Sequence, residues 1–305
     1  MIQKVNEDLL VAVLHGGISS ERNVSIDSGL SVFEALKKKY KNTNLIDVKS
    51  DFGTSKDHFK YDVYYNVLHG EFGEDGQVQK ILEKEGKAYT GSDIKSCQLT
   101  MDKIATKKLL ISKEIPTADF LELEKNKIYS PEEIINSVSM PLVLKPSNGG
   151  SSIFMKMVYE LDDFNGIELT YPLFAESFVD GREFTVSVFE GNALPVIEIV
   201  PEGDFYDFEA KYKSNKTQYQ FDTISEDKQL ELQNLAESVY EITGSRDAVR
   251  VDFMIDKNDN VFVLELNSIP GMTSHSLLPK AAQKVGISFD DLCQKILELA
   301  IIRRK

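Results

Sequence analysis

Residues 249–272 read VRVDFMIDKNDNVFVLELNSIPGM. Two apolar-rich runs flank the polar tetrad Lys257-Asn258-Asp259-Asn260, the pattern of a β-hairpin closed by a four-residue turn. With that loop Asp256 pairs with Val261, so Asp252 faces Glu265 and Arg250 faces Asn267. Side chains alternate across a strand, which puts these four polar residues on one face and Val251, Phe253 and Val263 on the other, unless a bulge shifts the register. Two carboxylates directly opposite each other repel unless a cation or a shared proton holds them. Oxygen ligands that include an amide, with no His or Cys among them, suit Mg²⁺ or Mn²⁺, and Asp252, Glu265 and Asn267 are the candidate ligands. A competing reading stays open on these residues: a charged, solvated strand face carrying an Arg250–Asp252 ion pair. It leaves unexplained why Ser268-Ile269-Pro270-Gly271 follows at once, where a glycine lets a backbone N–H approach a ligand closely.

Upstream, LVLKPSNGGSSI (142–153) places Lys145 at a strand end and Gly149, Gly150, Ser151 and Ser152 in the loop after it. Backbone N–H groups of such a loop can cradle phosphate oxygens, and a lysine adds a point charge. By composition alone the loop reads equally well as a surface turn. The chain contains no G-x-x-x-x-G-K-[ST], no G-x-G-x-x-G and no G-x-S-x-G, which argues against a P-loop enzyme, a dinucleotide dehydrogenase and an elbow-type hydrolase.

Toward the N-terminus an apolar run from Leu9 to Leu14 closes on Gly16-Gly17, and Leu30, Val32, Phe33 and Leu36 recur at helical spacing between Ser28 and Tyr40. A second apolar strand, Val63 to Leu68, ends at His69-Gly70, and QVQKILEKEG after it reads as a helix that stops at Gly86. Alternating strands and helices predict a parallel sheet with ligands at the carboxyl ends of its strands. Glu21, Arg22, His69, Glu71, Glu74 and Asp75 gather at those ends, and His69 is the histidine best placed to touch a small ligand.

MDKIATKKLLISKEIP then reads as a helix ending before Pro116, with a domain boundary near residue 97. Glu183–Phe189 and Leu194–Val200 read as antiparallel strands. Residues 203–223 have no clean period and the length of a lid. Helices are expected over Glu226–Thr243 and Phe289–Ile302.

The chain has 305 residues, room for two or three domains at roughly 100–200 residues each. Thirty-five Lys and Arg against 49 Asp and Glu leave a net charge of −14, a field that repels nucleic acid and anionic membranes. The two cysteines, Cys97 and Cys293, form no C-x-x-C pair, which excludes a disulfide scaffold and a thiolate zinc site and suits a reducing cytoplasm. The first apolar run is too short for a signal segment or a membrane span.

In their order along the chain, LHGGISSERNVSIDSG, LHGEFGEDG, YTGS, MDK, KPSNGGSS, AESFVDGREF, FYDFEAKY, RVDF, LELNSIPGMTSHSLLPKAA and GISFDDL resemble the D-alanine:D-alanine ligases of the ATP-grasp superfamily. The resemblance implies an α/β (α+β) ATP-grasp fold: a Rossmann-like parallel-sheet domain over 1–97, a central domain over 98–184 and an antiparallel-sheet domain over 185–305. It places ATP between the last two, with Lys103, Lys145, Gly150, Ser152 and Lys211 toward the phosphates. Glu176, Phe178, Val179, Glu183 and Phe205 would line the adenine and ribose site. Two Mg²⁺ or Mn²⁺ ions would be held by Asp252, Glu265 and Asn267. Substrate would lie among Val24, His69, Ser276 and Leu277, with Glu21, Ser151, Tyr212, Arg250 and Gly271 in catalytic roles. Val24, Val179 and Leu277 read equally well as core.

The implied reaction joins two D-alanines through a D-alanyl phosphate for peptidoglycan precursors, in a cytoplasmic homodimer with residues 203–223 as lid. D-serine or D-lactate as the second substrate, or an ATP-binding regulator with weakened catalysis, are the alternatives. Three positions depart from the family pattern: Ile153-Phe154 after the serine pair, QFDT after TQY, and Lys80 for a common glycine.

Overall fold

The computed structural model describes residues 6–124, 127, 129–149, 155–164, 173–201 and 217–303. The first sheet contains β1 (Val11–Gly16), whose first four residues are buried, as expected of a strand covered on both faces. Helix α1 (Arg22–Lys37) follows, then β2 (Thr43–Val48), β3 (Val63–Asn66), α2 (Gln77–Lys84) and β4 (Ala88–Tyr89). The strands run parallel in the order β2-β1-β3-β4, so the loops after β1 and β3 emerge side by side.

Helix α1 begins six residues before the expected Ser28. The apolar period is hidden there because Ser25 and Ser28 are buried polar positions, with the Ser25 hydroxyl donating to the Val67 carbonyl at 2.7 Å. The stretch around MDK forms two helices, α3 (Ile94–Met101) and α4 (Lys103–Ser112). Asp102 breaks them: its backbone is extended, and its carboxylate accepts from the N–H groups of Ile104 and Ala105 as an N-cap.

A second sheet is built from β5 (Phe120–Leu123), β6 (Leu142–Pro146), β7 (Lys156–Val158) and β8 (Leu173–Ser177), antiparallel in the order β5-β8-β6-β7, with α5 (Pro131–Ser137) between β5 and β6. The third contains β9 (Gly181–Phe189), β10 (Asn192–Ala193), β11 (Ile197–Val200), β12 (Gln218–Gln220), β13 (Ala248–Asp256) and β14 (Val261–Asn267). Its order is β12-β11-β9-β13-β14, with β10 beside β9. Strand β9 runs unbroken through residue 184, so the second and third sheets divide on strand lines between Ser177 and Gly181. Part of the segment expected to be a lid loop is strand: Tyr219 pairs with Ile199, because Tyr219 and Phe221 pack onto apolar core.

The third sheet has two chemically different faces. Phe184, Val186, Val188, Val249, Val251, Phe253 and Ile255 are buried against Leu232, Ala236 and Val239 of α6 (Glu226–Ile242). The alternate residues Glu183, Thr185, Ser187, Arg250 and Asp252 are polar and share the opposite face through the register Arg250↔Ser187 and Asp252↔Thr185. A sheet that keeps its core on one face in this way leaves the other for chemistry. Helices α7 (Leu277–Lys284) and α8 (Phe289–Arg303) close the chain, and α8 packs on α1 in one apolar cluster with the first sheet. Among the described residues no helix is long and apolar enough to cross a membrane.

Candidate active site

The β13–β14 hairpin carries the expected pairs Arg250↔Asn267 and Asp252↔Glu265. Between them and the turn the register shifts, so Phe253 pairs with Val263 and Ile255 with Val261. Asp256 therefore does not pair with Val261. Its carboxylate accepts from the N–H groups of Asn258 and Asn260, each at 2.8 Å, which draws Asp256 into the turn. The bulge at Leu264 absorbs the extra residue and returns the polar residues to one face.

Asp252 is buried and densely contacted. Its Oδ1 accepts from the Thr185 hydroxyl at 2.6 Å and from Arg250 Nε at 2.8 Å. Its Oδ2 accepts from a terminal nitrogen of Arg250 at 2.8 Å and from the Asn267 amide at 3.0 Å. The Arg250–Asp252 ion pair of the competing reading is therefore present, and it fixes the plane of the guanidinium. Among the described residues no three His, Cys, Asp or Glu side chains are grouped to hold a metal ion. The hairpin instead offers two facing carboxylates and an amide, hard oxygen donors suited to a divalent cation once Asn267 turns its amide oxygen inward.

Helix α4 links this hairpin to the second sheet. Lys103 Nζ lies 3.4 Å from Glu265 Oε2 and donates to the Gly149 carbonyl at 2.5 Å, while its backbone N–H donates to the Ser147 carbonyl at 2.8 Å. The start of the glycine-serine loop is thus held against a candidate metal carboxylate. One helical turn later, Lys107 pairs with Glu176, and Lys145 of β6 pairs with the other oxygen of the same carboxylate.

The N-terminal loops meet the same region from the other side. Ser19 Oγ donates to the His69 carbonyl at 2.6 Å, tying the loop that carries Glu21 to the loop that carries His69. Glu21 is buried, and a Cβ on Gly70 would stand 2.8 Å from its Oε2, so this close approach requires the glycine. Ser28 Oγ lies 3.5 Å from His69 Nε2 and accepts from the Met272 N–H at 3.1 Å, which brings in the Ile269–Met272 segment. Ser276 is fixed by Thr273, whose N–H donates to its hydroxyl at 3.1 Å, and a Cβ on Gly271 would press on that hydroxyl.

Two titratable groups here are displaced. Burial, with the Arg250 charge nearby, pushes His69 down to about 4, so its ring is neutral at pH 7. Burial and the neighbouring Glu21 carboxylate push Glu74 up to about 8, while its carboxylate accepts from the Gly70 N–H at 2.6 Å. The fold therefore holds the Glu74 proton where the unfolded chain has released it. This contribution is fully present below about pH 4.5 and is lost as pH rises through about 8. Glu74→Gln should accordingly gain stability over the native chain with rising pH. The gain expected between pH 5 and pH 8.5 is about 1–2 kcal/mol, discounted for residual solvent contact, in urea midpoints. A stability difference that does not change with pH would contradict it.

Glu21, His69, Arg250, Asp252, Glu265, Asn267, Gly271, Ser276 and Lys103 thus converge. Lys145 and Glu176 pair beside them. Glu183 lies on the polar face of β9, and Phe178 and Val179 lie in the link from β8 to β9. Val24 is half-buried on α1, and Leu277 packs into the core cluster that includes α8. Gly150, Ser151, Ser152, Phe154, Phe205, Lys211 and Tyr212 lie outside the described residues. Sequence reasoning gave no role to Lys107 or to Thr185. For Lys107 the available signal was its place one turn after Lys103, and for Thr185 its alternation with Phe184 and Val186.

Sequence profiles described as D-ala D-ala ligase N-terminus and D-ala D-ala ligase C-terminus match residues 47–92 and 109–298. The D-alanine–D-alanine ligase of Actinobacillus pleuropneumoniae serotype 5b is 39% identical over 300 residues, covering 96% of this chain and 99% of that protein. That of Acinetobacter baylyi is 41% identical over 295 residues, 94% of each. Among solved structures, the D-alanine–D-alanine ligase of Bacillus anthracis complexed with ATP matches with a TM-score of 0.83 at 30% identity, over 97% of this chain and 98% of that one.

Proposed function

The chain belongs to the D-alanine–D-alanine ligase family, and from this premise we propose that it joins two D-alanines at the expense of ATP through a D-alanyl phosphate. The convergence of Glu21, His69, Arg250 and Gly271 from opposite ends of the sequence supports this reading most directly. In the first step the carboxylate of one D-alanine attacks the γ-phosphate and ADP leaves. In the second, the amine of another D-alanine attacks the acyl carbon, inorganic phosphate leaves, and the amine loses its proton.

The first step drives an anion against an anion, so positive charge must stand at the phosphates. Lys103 and Lys145 supply it, joined by Lys211 and the Gly150–Ser152 loop. Asp252, Glu265 and Asn267 would hold Mg²⁺ or Mn²⁺, as a pair of ions, and the bound cation supplies charge neutralisation at the phosphates. Glu176, Phe178, Val179, Glu183 and Phe205 take the adenine and ribose.

Glu21 receives the ammonium of the first D-alanine, with Val24 and the neutral His69 beside it. Ser276 and Leu277 border the second. The tetrahedral centre carries an oxyanion, to which the Arg250 guanidinium and the Gly271 N–H donate. Ser151 and Tyr212, with Glu21, take up the proton of the attacking amine. The chain is read as three units, 1–97, 98–184 and 185–305, and the enzyme works as a cytoplasmic homodimer feeding peptidoglycan synthesis.

With Mg²⁺ and ATP, D-alanine should yield inorganic phosphate and D-alanyl-D-alanine in equal amounts, and L-alanine neither. Absence of both products would refute the assignment. Offering D-serine and D-lactate beside D-alanine across a pH series tests the acceptor: the dipeptide of two D-alanines should dominate throughout.

A further inference from the structure

Glu176 is the last residue but one of β8, opposite Phe120 of β5 and Val143 of β6, and is buried. Two lysines bind it, one on each oxygen, and they differ in freedom. Lys145 has a side chain 17% exposed and lies on the strand that leads into the glycine-serine loop. Lys107 has a side chain 2% exposed. Besides Glu176, its ammonium donates to Thr117 Oγ1 at 2.6 Å and to the Ala118 carbonyl at 3.3 Å, and it stands 5.6 Å from the centre of the Phe120 ring. Thr117 gives its own hydroxyl proton to the Val263 carbonyl at 2.7 Å, so its oxygen is left as an acceptor toward Lys107. Two of the three ammonium N–H bonds are thus held by Thr117 and Ala118, and the charge is paired with the Glu176 carboxylate. Lys145 can leave Glu176 for a phosphate, whereas Lys107 is enclosed.

This difference has a chemical consequence. A buried carboxylate with no cation takes up a proton, and the acid then donates as well as accepts. An ionised carboxylate only accepts, and therefore selects an N–H donor. The exocyclic amino group of adenine is such a donor, whereas the 6-oxo group of hypoxanthine or guanine is an acceptor and is repelled.

We propose that Lys107 is the positioning residue that holds Glu176 as a fixed acceptor for the adenine amino group once Lys145 has moved to the phosphates, and so sets the preference for ATP over 6-oxopurine triphosphates. The inference rests on the base-site reading of Glu176 given above. It also gives α4 a double use: Lys103 faces the phosphate loop and Glu265, while Lys107, four residues on, faces the base end.

The experiment measures kcat and KM with ATP and with inosine triphosphate for the native enzyme, Lys107→Met, Lys107→Arg and Glu176→Gln. Lys107→Met should raise the KM for ATP about tenfold and lower the ATP-to-inosine-triphosphate ratio of kcat/KM by a similar factor, with the KM for D-alanine within about twofold. Lys107→Arg should restore most of the ratio, which a purely structural role would not require. Glu176→Gln, whose amide can turn to donate or accept, should lower the same ratio. If Glu176→Gln lowers the ratio and a folded Lys107→Met leaves it at the native value, this inference falls and the base site stands. If neither variant moves the ratio, the base-site reading falls and the inference with it. Should Lys107→Met fail to fold, Thr117→Val removes one anchor of the ammonium while leaving the ion pair. A native KM for ATP and a native ratio in Thr117→Val, with the ratio lowered in Glu176→Gln, would then overturn the proposal.

Discussion

Glu265→Gln is expected to lower kcat by about 10²–10³ while moving the thermal midpoint by no more than about 2 °C. The two effects separate because Glu265 and Asp252, although paired across the same hairpin, are held differently. The Glu265 side chain is 26% exposed, and its ion pair with Lys103 is a loose 3.4 Å contact of the kind worth roughly 0–1 kcal/mol. Gln keeps its size and one acceptor oxygen but removes the charge that pairs with Lys103 and that a divalent cation would share. Asp252 is the poorer test, since removing its carboxylate would strand Arg250 and Thr185 together and confound folding with chemistry. Thermal melts and steady-state kinetics over a Mg²⁺ titration make the comparison. Equal loss of stability and turnover would mean that the carboxylate pair is a structural feature of the hairpin.

How far this hairpin could be read from its sequence depended on where side chains compete with the backbone. Arg250, Asp252, Glu265 and Asn267 were legible because strict alternation puts them on one face and the polar tetrad marks the turn. The last pairs were not, because the Asp256 carboxylate captures two turn N–H groups and pulls one more residue out of the ladder. The same competition hid the start of α1, where buried serines stand at core-facing positions, and the break at Asp102, where a side chain caps the next helix. Strands β5, β7 and β8 are short, and β2 (TNLIDV) carries no apolar run, so their identity comes from the strands they pair with. Lys107 illustrates the limit: a lysine in a helix reads as solvated until the sheet packed against it supplies Glu176, Thr117 and Ala118.

Asp247→Ala is expected to destabilise the fold by roughly 3 kcal/mol, a drop of about 6–10 °C in thermal midpoint, although the residue is itself none of the proposed ligands. Asp247 precedes β13 with a left-handed backbone (φ 58°), and its carboxylate is buried. It accepts from the Gly91 N–H at 2.7 Å and from both terminal nitrogens of Arg303, one of them at 2.9 Å, and the same guanidinium donates to the Tyr89 carbonyl at 3.1 Å. One carboxylate thus ties the edge of the first sheet, the end of α8 and the strand that carries Arg250. Burial pushes its titration upward, and the Arg303 charge opposes this only in part. Such a pair adds little over an apolar contact, but removing one partner leaves Arg303 and the Gly91 N–H without their acceptor. Asp247→Asn keeps an acceptor oxygen and suits the left-handed backbone, so it should lose less than half as much. The positions of Glu21 and His69 relative to Arg250 depend on this joint, so Asp247→Ala should also raise the KM for D-alanine at temperatures well below its melt. A midpoint within about 2 °C of the native enzyme, with the KM for D-alanine unchanged, would show that the sheets are held together elsewhere.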